Sequence, residues 1–219
     1  MTSIDKIYIT HWEPLIERKQ YLTKRLTELG LCDKVFFMTL YDRYTTDWNN
    51  IDKLYFQNQN IAYKMTKPQV CITLNHIECY KDILKNNYQN CLILEDDCLI
   101  NIDDFQYQLD KILNSNIKDI YDFIFIGNYT IHSINNFKKV NDFLHFTQQS
   151  NTADAYLCSN KGIRTLLNNN IIPFSKVIDH AMNDWFKDFN MNVYMHNPPL
   201  IIQGSGVTYQ STNIDEELQ

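Results

Sequence analysis

The stretch that most constrains this chain is Cys91-Leu92-Ile93-Leu94 running directly into Glu95-Asp96-Asp97. A short apolar run bounded by polar residues reads as a strand buried in a parallel sheet. The carboxylates then sit at its carboxyl end, which is where open α/β sheets bind ligands. Three adjacent carboxylates are costly, because two like charges about 4 Å apart repel by roughly 4 kcal/mol at an effective dielectric near 20. A fold that points them at one spot supplies a cation or hydrogen-bond donors there. Oxygen donors select Mg²⁺ or Mn²⁺, which take one or two carboxylates and complete their shells with water and substrate phosphate. The competing reading is a solvated acidic turn ahead of a helix, since Asp103 and Asp104 follow closely and suit a helix start.

With 219 residues and no Pro/Gly/Ser-rich linker, the chain reads as one domain over residues 1–219, long enough to bury about 70 to 75% of its unfolded surface. A net charge of −6 and the lack of a clustered Lys/Arg face argue against a nucleic acid or an anionic membrane as partner. Asp5 and Lys6 interrupt the apolar start, and no stretch approaches eighteen apolar residues. The expectation is a cytoplasmic protein without membrane insertion. Cys32, Cys71, Cys79, Cys91, Cys98 and Cys158 form no C-x-x-C pair and read as reduced thiols, several within apolar runs, not as a zinc site or disulfide frame. The abundance of Asn, Ile, Lys and Tyr suggests an AT-rich genome.

Ile4 to Thr10 reads as a first strand, and Leu15, Leu22, Leu26 and Leu29 then recur at helical spacing up to Gly30, a good helix stop. Lys34 to Leu40 gives a second strand. Pro68 suits a first helical position, with Val70, Leu74, Ile77 and Leu84 as the apolar stripe of a helix reaching about Lys85. The acidic strand follows, then a helix marked by Phe105, Leu109, Ile112 and Leu113, and a buried strand from Phe123 to Ile126. This alternation predicts an α/β fold, a mostly parallel central sheet with helices on both faces. The second half is less regular: a loop over Asn128 to Gln149 containing a strand at Phe143 to Thr147, a strand at Ala153 to Cys158, and a short helix at Lys161 to Leu167. A long helix carries Val177, Ala181, Trp185 and Phe189, and a strand at Met191 to His196 precedes Pro198-Pro199 and a tail.

Several blocks recur in a defined order along nearly the whole chain. Ile7 to Thr10 is followed by Glu17-Arg18, and Cys71, Asn75 and His76 lie one helix before Ile93 to Asp97. Next come Asn151, Thr152, Tyr156, Ser159, Gly162, Leu166 and Leu167, then Pro173 and Asp179, and finally Pro199, Leu200, Gln203, Ser211 and Ile214. In content and spacing these blocks resemble the family 25 glycosyltransferases, which include lipooligosaccharide galactosyltransferases and the collagen hydroxylysine galactosyltransferases. Val70 and Asn151 stand where the family has Gly, and Asn75 where it has Ser; none of these departures removes a charge.

The resemblance implies a GT-A-like nucleotide-binding fold, with residues 1–127 as the nucleotide-binding half and 128–219 as the acceptor-side half and tail. It also implies a metal-dependent inverting transfer of a hexose, galactose being favoured, from a UDP-sugar to a hydroxyl of a glycan or hydroxylysine-type acceptor on a glycan or glycoprotein. By the same resemblance Asp97 holds Mn²⁺ or Mg²⁺, Asp96 the ribose, and Glu95 the donor sugar or a metal-bound water. Arg18 matches the family's early Arg on the nucleotide side. Asp179 is the first choice for the base that activates the acceptor, with Asp184 and Asp154 next; each also reads as an ordinary acidic residue, Asp179 in a helix's first turn.

His76 reads either as a donor-side residue or as a hydrogen-bonded structural histidine. His180 and His196 are weaker candidates. Thr10 and Asp42 end the first two strands, where the nucleoside should lie, or simply cap turns. Trp12, Tyr41, Tyr44, Trp48 and Tyr55 offer aromatic faces to a base or sugar, or are ordinary members of a tyrosine-rich chain. A metal-dependent nucleotidyltransferase or phosphohydrolase, and an inactive glycosyltransferase-fold binding module, are the competing functions.

Overall fold

Strand β1 (Lys6–Thr10) leads into helix α1 (Ile16–Glu28), a 3-10 turn (Cys32–Lys34), strand β2 (Val35–Met38) and helix α2 (Trp48–Tyr55). Helix α3 (Lys67–Asn86), strands β3 (Asn90–Glu95) and β4 (Cys98–Leu99), helix α4 (Phe105–Leu113) and strand β5 (Phe123–Phe125) complete the first half. Then come β6 (Lys138–Lys139), β7 (Leu144–Thr147), β8 (Ala155–Ser159), α5 (Asn160–Asn168), α6 (Ile178–Asp188), β9 (Val193–His196) and β10 (Ile202–Gln203). The computed structural model describes residues 3–55, 65–127, 137–150, 152–172, 174–205 and 208. Asn151, Pro173, Ser211 and Ile214, and the side chain of Tyr55, lie outside the described residues.

Eight strands form one sheet in the order β2-β1-β3-β8-β5-β9-β7-β6. The β2-β1-β3 part is parallel, with Tyr8 beside Phe36 on one side and Ile93 on the other. Strand β8 runs antiparallel to both β3 and β5, β9 is parallel to β5, and β7 and β6 finish the sheet antiparallel. A strand from the second half thus lies between two strands of the first. The sheet is mixed, and the expected layering of helices on both faces is present.

Period-two alternation divides the core. Tyr8, Cys91 and Ile93 point to the face covered by α3, α5 and α6, where Leu74, Ile163 and Phe186 pack. Ile7, Ile9, Leu92 and Leu94 point to the opposite face, against Leu22 and Leu26 of α1 and Leu109 of α4. These aliphatic side chains are fully buried, each contributing roughly 1.5–3 kcal/mol.

Local signals fix the helices that frame the site. Pro68 lies in the first turn of α3, Gln69 Oε1 accepts the Thr66 N–H at 2.9 Å, and Asn87 in the left-handed region (φ 53°) ends the helix. Ser159 caps α5 by accepting the Gly162 N–H at 3.0 Å. The second strand stops at Met38, two residues short of the expected Leu40, and the short elements α2, β4, β6 and β10 were not expected from the pattern. Two-residue strands carry no periodicity to read.

Candidate active site

The carboxyl ends of β1 and β3 open into a cleft of about 730 Å³, open solvent at its mouth included. Thr10, His11 and Trp12 come from the end of β1, Tyr41 to Arg43 from the turn after β2, and Glu95 to Asp97 from the end of β3. Asn75 closes one side from α3, and Gln203 and Ser205 close another. The last two arrive because β10 pairs antiparallel with β4, which directly follows the acidic triplet. The triplet is therefore not a cap of α4, whose first residue is Phe105.

The three carboxylates have different surroundings. Asp96 accepts from Arg18 Nη1 at 2.7 Å on Oδ1, and on Oδ2 from the Trp12 N–H at 3.2 Å, with His11 Nδ1 at 2.9 Å. Arg18, His11 and Asp96 are all buried, so the ion pair locks the start of α1 and the β1 exit against β3. Removing one partner of such a buried pair costs about 3–5 kcal/mol.

Asp97 keeps one oxygen unsatisfied. Its Oδ2 accepts from the Ser205 hydroxyl, and its backbone carbonyl accepts the Gly204 N–H at 2.7 Å, while the buried Oδ1 has no hydrogen-bond partner. Burial pushes the Asp97 carboxyl above its ordinary range, against the Ser205 hydrogen bond that favours the ionised form. A buried carboxylate oxygen without a donor is unfavourable.

Glu95 receives the strongest upward push, from burial first and then from the carboxylates of Asp97, Asp154, Asp96 and Asp179. Its side chain is 16% exposed, with Oε1 3.7 Å from the fully buried Nε2 of His76. That separation is beyond a hydrogen bond, and burial lowers His76 to about 3. Burial thus disfavours the charged form of both facing groups. Behind the imidazole, Nδ1 lies 2.7 Å from the Tyr156 hydroxyl, which lies 2.7 Å from that of Tyr80.

Other expected residues distribute as follows. Thr10 lines the cleft and donates weakly to the Leu94 carbonyl at 3.4 Å. Asp42 accepts the Trp12 indole N–H at 2.6 Å and the Tyr44 N–H at 2.7 Å, so it holds the aromatic wall while facing the cleft. Arg43 stacks 4.2 Å above the Trp12 ring. Tyr41 lines the cleft; Tyr44 leans on Trp12, and Trp48 donates to the Arg43 carbonyl at 3.2 Å. Asp179 sits half-buried in the first turn of α6, where its Oδ1 accepts the His180 N–H at 2.7 Å and burial raises its carboxyl.

Of the alternative bases, Asp154 is fully buried and accepts from the Thr152 hydroxyl at 2.6 Å. Asp184 is on the surface, paired with Lys176. His180 is exposed, and His196 is buried in β9 with Nδ1 2.6 Å from the Pro198 carbonyl; neither lines the cleft.

His11, Arg43 and Ser205 were missed. His11 adjoins Thr10 at the strand end and was in reach of the same reasoning, but Ser205 depends on a two-residue strand pairing.

Among the described residues no three His, Cys, Asp or Glu side chains gather into a ready-made metal cage. The donors present nevertheless fit a hard divalent ion, since Mg²⁺ and Mn²⁺ accept one or two carboxylates and take the rest of their shell from water and phosphate. The orphaned Asp97 Oδ1 is the oxygen available for that role. None of the six cysteines is in a disulfide; five are buried and Cys32 is exposed. No helix among the described residues is long and apolar enough to cross a membrane.

No curated protein matches the chain. Among solved structures, the crystal structure of A197 from STIV is similar at 10% identity and a TM-score of 0.46, over 88% of this chain and 81% of that one. The profile of glycosyltransferase family 25 (LPS biosynthesis protein) matches residues 4–182, from the residues before β1 into α6. That span contains the acidic triplet and Arg18, which line the cleft, and His76 and Asp179, which do not. The chain belongs to glycosyltransferase family 25, and the protein is a glycosyltransferase.

Proposed function

We propose that the enzyme moves a hexose, galactose in preference to glucose, from a UDP-sugar to a hydroxyl group of a glycan or hydroxylysine-type acceptor. Transfer proceeds with inversion and requires Mn²⁺ or Mg²⁺. The observation that carries this reading is that Asp97, which lines the cleft at the carboxyl end of β3, keeps its buried Oδ1 without a hydrogen-bond partner. Asp97 would hold the ion, which when bound supplies positive charge to the departing nucleoside diphosphate.

The remaining roles belong to the protein's own side chains. Thr10 and Asp42 stand on the nucleoside side, with Trp12 and Tyr41 as aromatic faces for the base. Asp96 reaches the ribose while remaining anchored by Arg18, since a carboxylate has about four acceptor positions. Glu95 faces the donor sugar. Asp179 accepts the proton of the acceptor hydroxyl; its raised affinity for protons moves it toward the range useful to a general base.

The test is a screen of purified protein with Mn²⁺ against UDP-, GDP- and CMP-sugars, measuring free nucleotide. UDP release, greatest with UDP-galactose and lost in EDTA, is the expected result. Release of pyrophosphate or inorganic phosphate in place of UDP would overturn it in favour of a nucleotidyltransferase or phosphohydrolase.

A further inference from the structure

Three side chains that line no part of the cleft form a buried column ending at one that does. Tyr80, Tyr156 and His76 are each 0% exposed. They are joined hydroxyl to hydroxyl and hydroxyl to Nδ1, at 2.7 Å each, with the Tyr80 hydroxyl also 3.8 Å from Met182 Sδ. The far imidazole nitrogen, Nε2, is buried without a hydrogen-bond partner, and the polar atom it faces is Glu95 Oε1 at 3.7 Å. Leaving such a group unpaired is unfavourable. Catalytic hydrogen bonds that are long in the free enzyme commonly tighten when substrate binds.

We propose that His76, backed by Tyr156 and Tyr80, is the positioning residue for Glu95, holding its carboxyl group at the floor of the cleft. This rests on the reading of the cleft as the donor site. The chemistry of the column explains why it is built from hydroxyls. With His76 neutral and its proton on Nδ1, the imidazole donates to Tyr156, Tyr156 to Tyr80, and Tyr80 to Met182 Sδ. Nε2 then offers a lone pair to a Glu95 O–H. With the directions reversed, Tyr80 donates to Tyr156 and Tyr156 to Nδ1, so that Nε2–H donates to a Glu95 carboxylate. A hydroxyl both donates and accepts, so either arrangement leaves one hydrogen on the line between Nε2 and Oε1. A lysine or arginine behind Glu95 would serve only the ionised form.

Variants at position 76 separate this from simple packing. Gln keeps an amide that can turn either its N–H or its C=O toward Glu95, whereas Phe keeps the ring and the volume but offers Glu95 nothing. With UDP-galactose and Mn²⁺, His76→Phe should lower kcat for UDP release about ten- to a hundredfold, as the loss of a supporting partner behind an active carboxylate typically does, with KM within about threefold. His76→Gln should recover most of that loss. Phe as good as or better than Gln would overturn the proposal. A second measurement does not depend on the donor: in the free protein, Glu95→Gln should move the His76 imidazole ¹⁵N resonances, and unmoved resonances would overturn the contact. Wild-type protein that releases no UDP while those resonances respond would count against the donor reading and in favour of the contact.

Discussion

Asp96 and Asp97 are adjacent in sequence but their side chains have different tasks. Both oxygens of Asp96 are met by Arg18, the Trp12 N–H and His11, whereas Asp97 has Ser205 on one oxygen and nothing on the other. Asp97→Asn keeps the shape, removes the charge and should abolish turnover together with any effect of Mn²⁺ on UDP binding; near-normal activity, with or without EDTA, would remove Asp97 from the metal. Asp179→Asn should lower transfer by roughly two to four orders of magnitude, the range for a positioned general base, with UDP affinity within a few-fold by calorimetry. Wild-type transfer in that variant would point next to Asp154, because Asp184 is paired with Lys176 on the surface. Acid sensitivity can also be assigned to single groups. His76, held neutral down to about 3 by burial, binds a proton in the unfolded chain below about pH 6.5 but not in the folded one. Its contribution to stability is therefore full above that pH and falls by about 1.4 kcal/mol per pH unit toward pH 3. Glu95, held well up, acts in the opposite sense once pH exceeds its unfolded value, and the two offset each other. In Glu95→Gln only the histidine remains, so urea titrations should show stability dropping more steeply from pH 6.5 to 4.5 than in wild type. Parallel curves would show that the pair is not proton-coupled in this way.

At the level of elements, α3 is the spine of the site. Asn75 reaches across to Tyr41, accepting its N–H at 3.0 Å and donating to its carbonyl at 3.1 Å, and so fixes the turn that carries Asp42 and Arg43. The next residue, His76, faces Glu95. Helix α5 packs directly on the backbone just before β5 because Gly162 has no side chain: a Cβ there would lie 2.7 Å from the Asp122 carbonyl oxygen and 2.9 Å from its Cα. Gly162→Ala should therefore destabilise by about 1–3 kcal/mol, the usual cost of overpacking, read as a lower urea midpoint with an unchanged slope. An unaltered midpoint would mean that α5 can move away at no cost. These elements also show what the sequence makes legible. The long apolar stripes of α1, α3 and α6 and the runs at Cys91 to Leu94 and Phe123 to Ile126 announce themselves, because burial on one or both faces imposes a period. With them came Thr10, Asp42 and the triplet, since strand ends follow from strands. Asn75 was legible as part of a family block, but not as a clamp on Tyr41, because that contact spans 34 residues. Ser205 was not legible at all, for β10 is two residues long and its position follows from pairing with β4.

Across the whole molecule, the cleft draws its walls from distant parts of one sheet, and binding there should stabilise all of it. Strand β8 binds β3 on one side and β5 on the other, and the carbonyl of Asp154, just before it, accepts the Glu95 N–H at 2.7 Å. Residues 203 to 205 reach the same floor through β4 and Asp97. A ligand seated among these segments contacts only the folded chain, so it raises stability by RT ln(1 + [L]/Kd), about 2.7 kcal/mol at a hundredfold excess over Kd. For a domain of this size each kcal/mol moves Tm by roughly 2–4 °C, so saturating UDP should raise it by about 5–10 °C. The carboxylates around Glu95 make that gain conditional, because a diphosphate adds negative charge to a site already crowded with it. UDP should therefore stabilise strongly with Mn²⁺ or Mg²⁺ and weakly in EDTA, and Asp97→Asn should respond to UDP in Mn²⁺ as wild type does in EDTA. Equal shifts with and without the cation, measured by differential scanning fluorimetry and checked by calorimetry, would mean that the protein's own donors hold the diphosphate and that Asp97 Oδ1 serves another purpose.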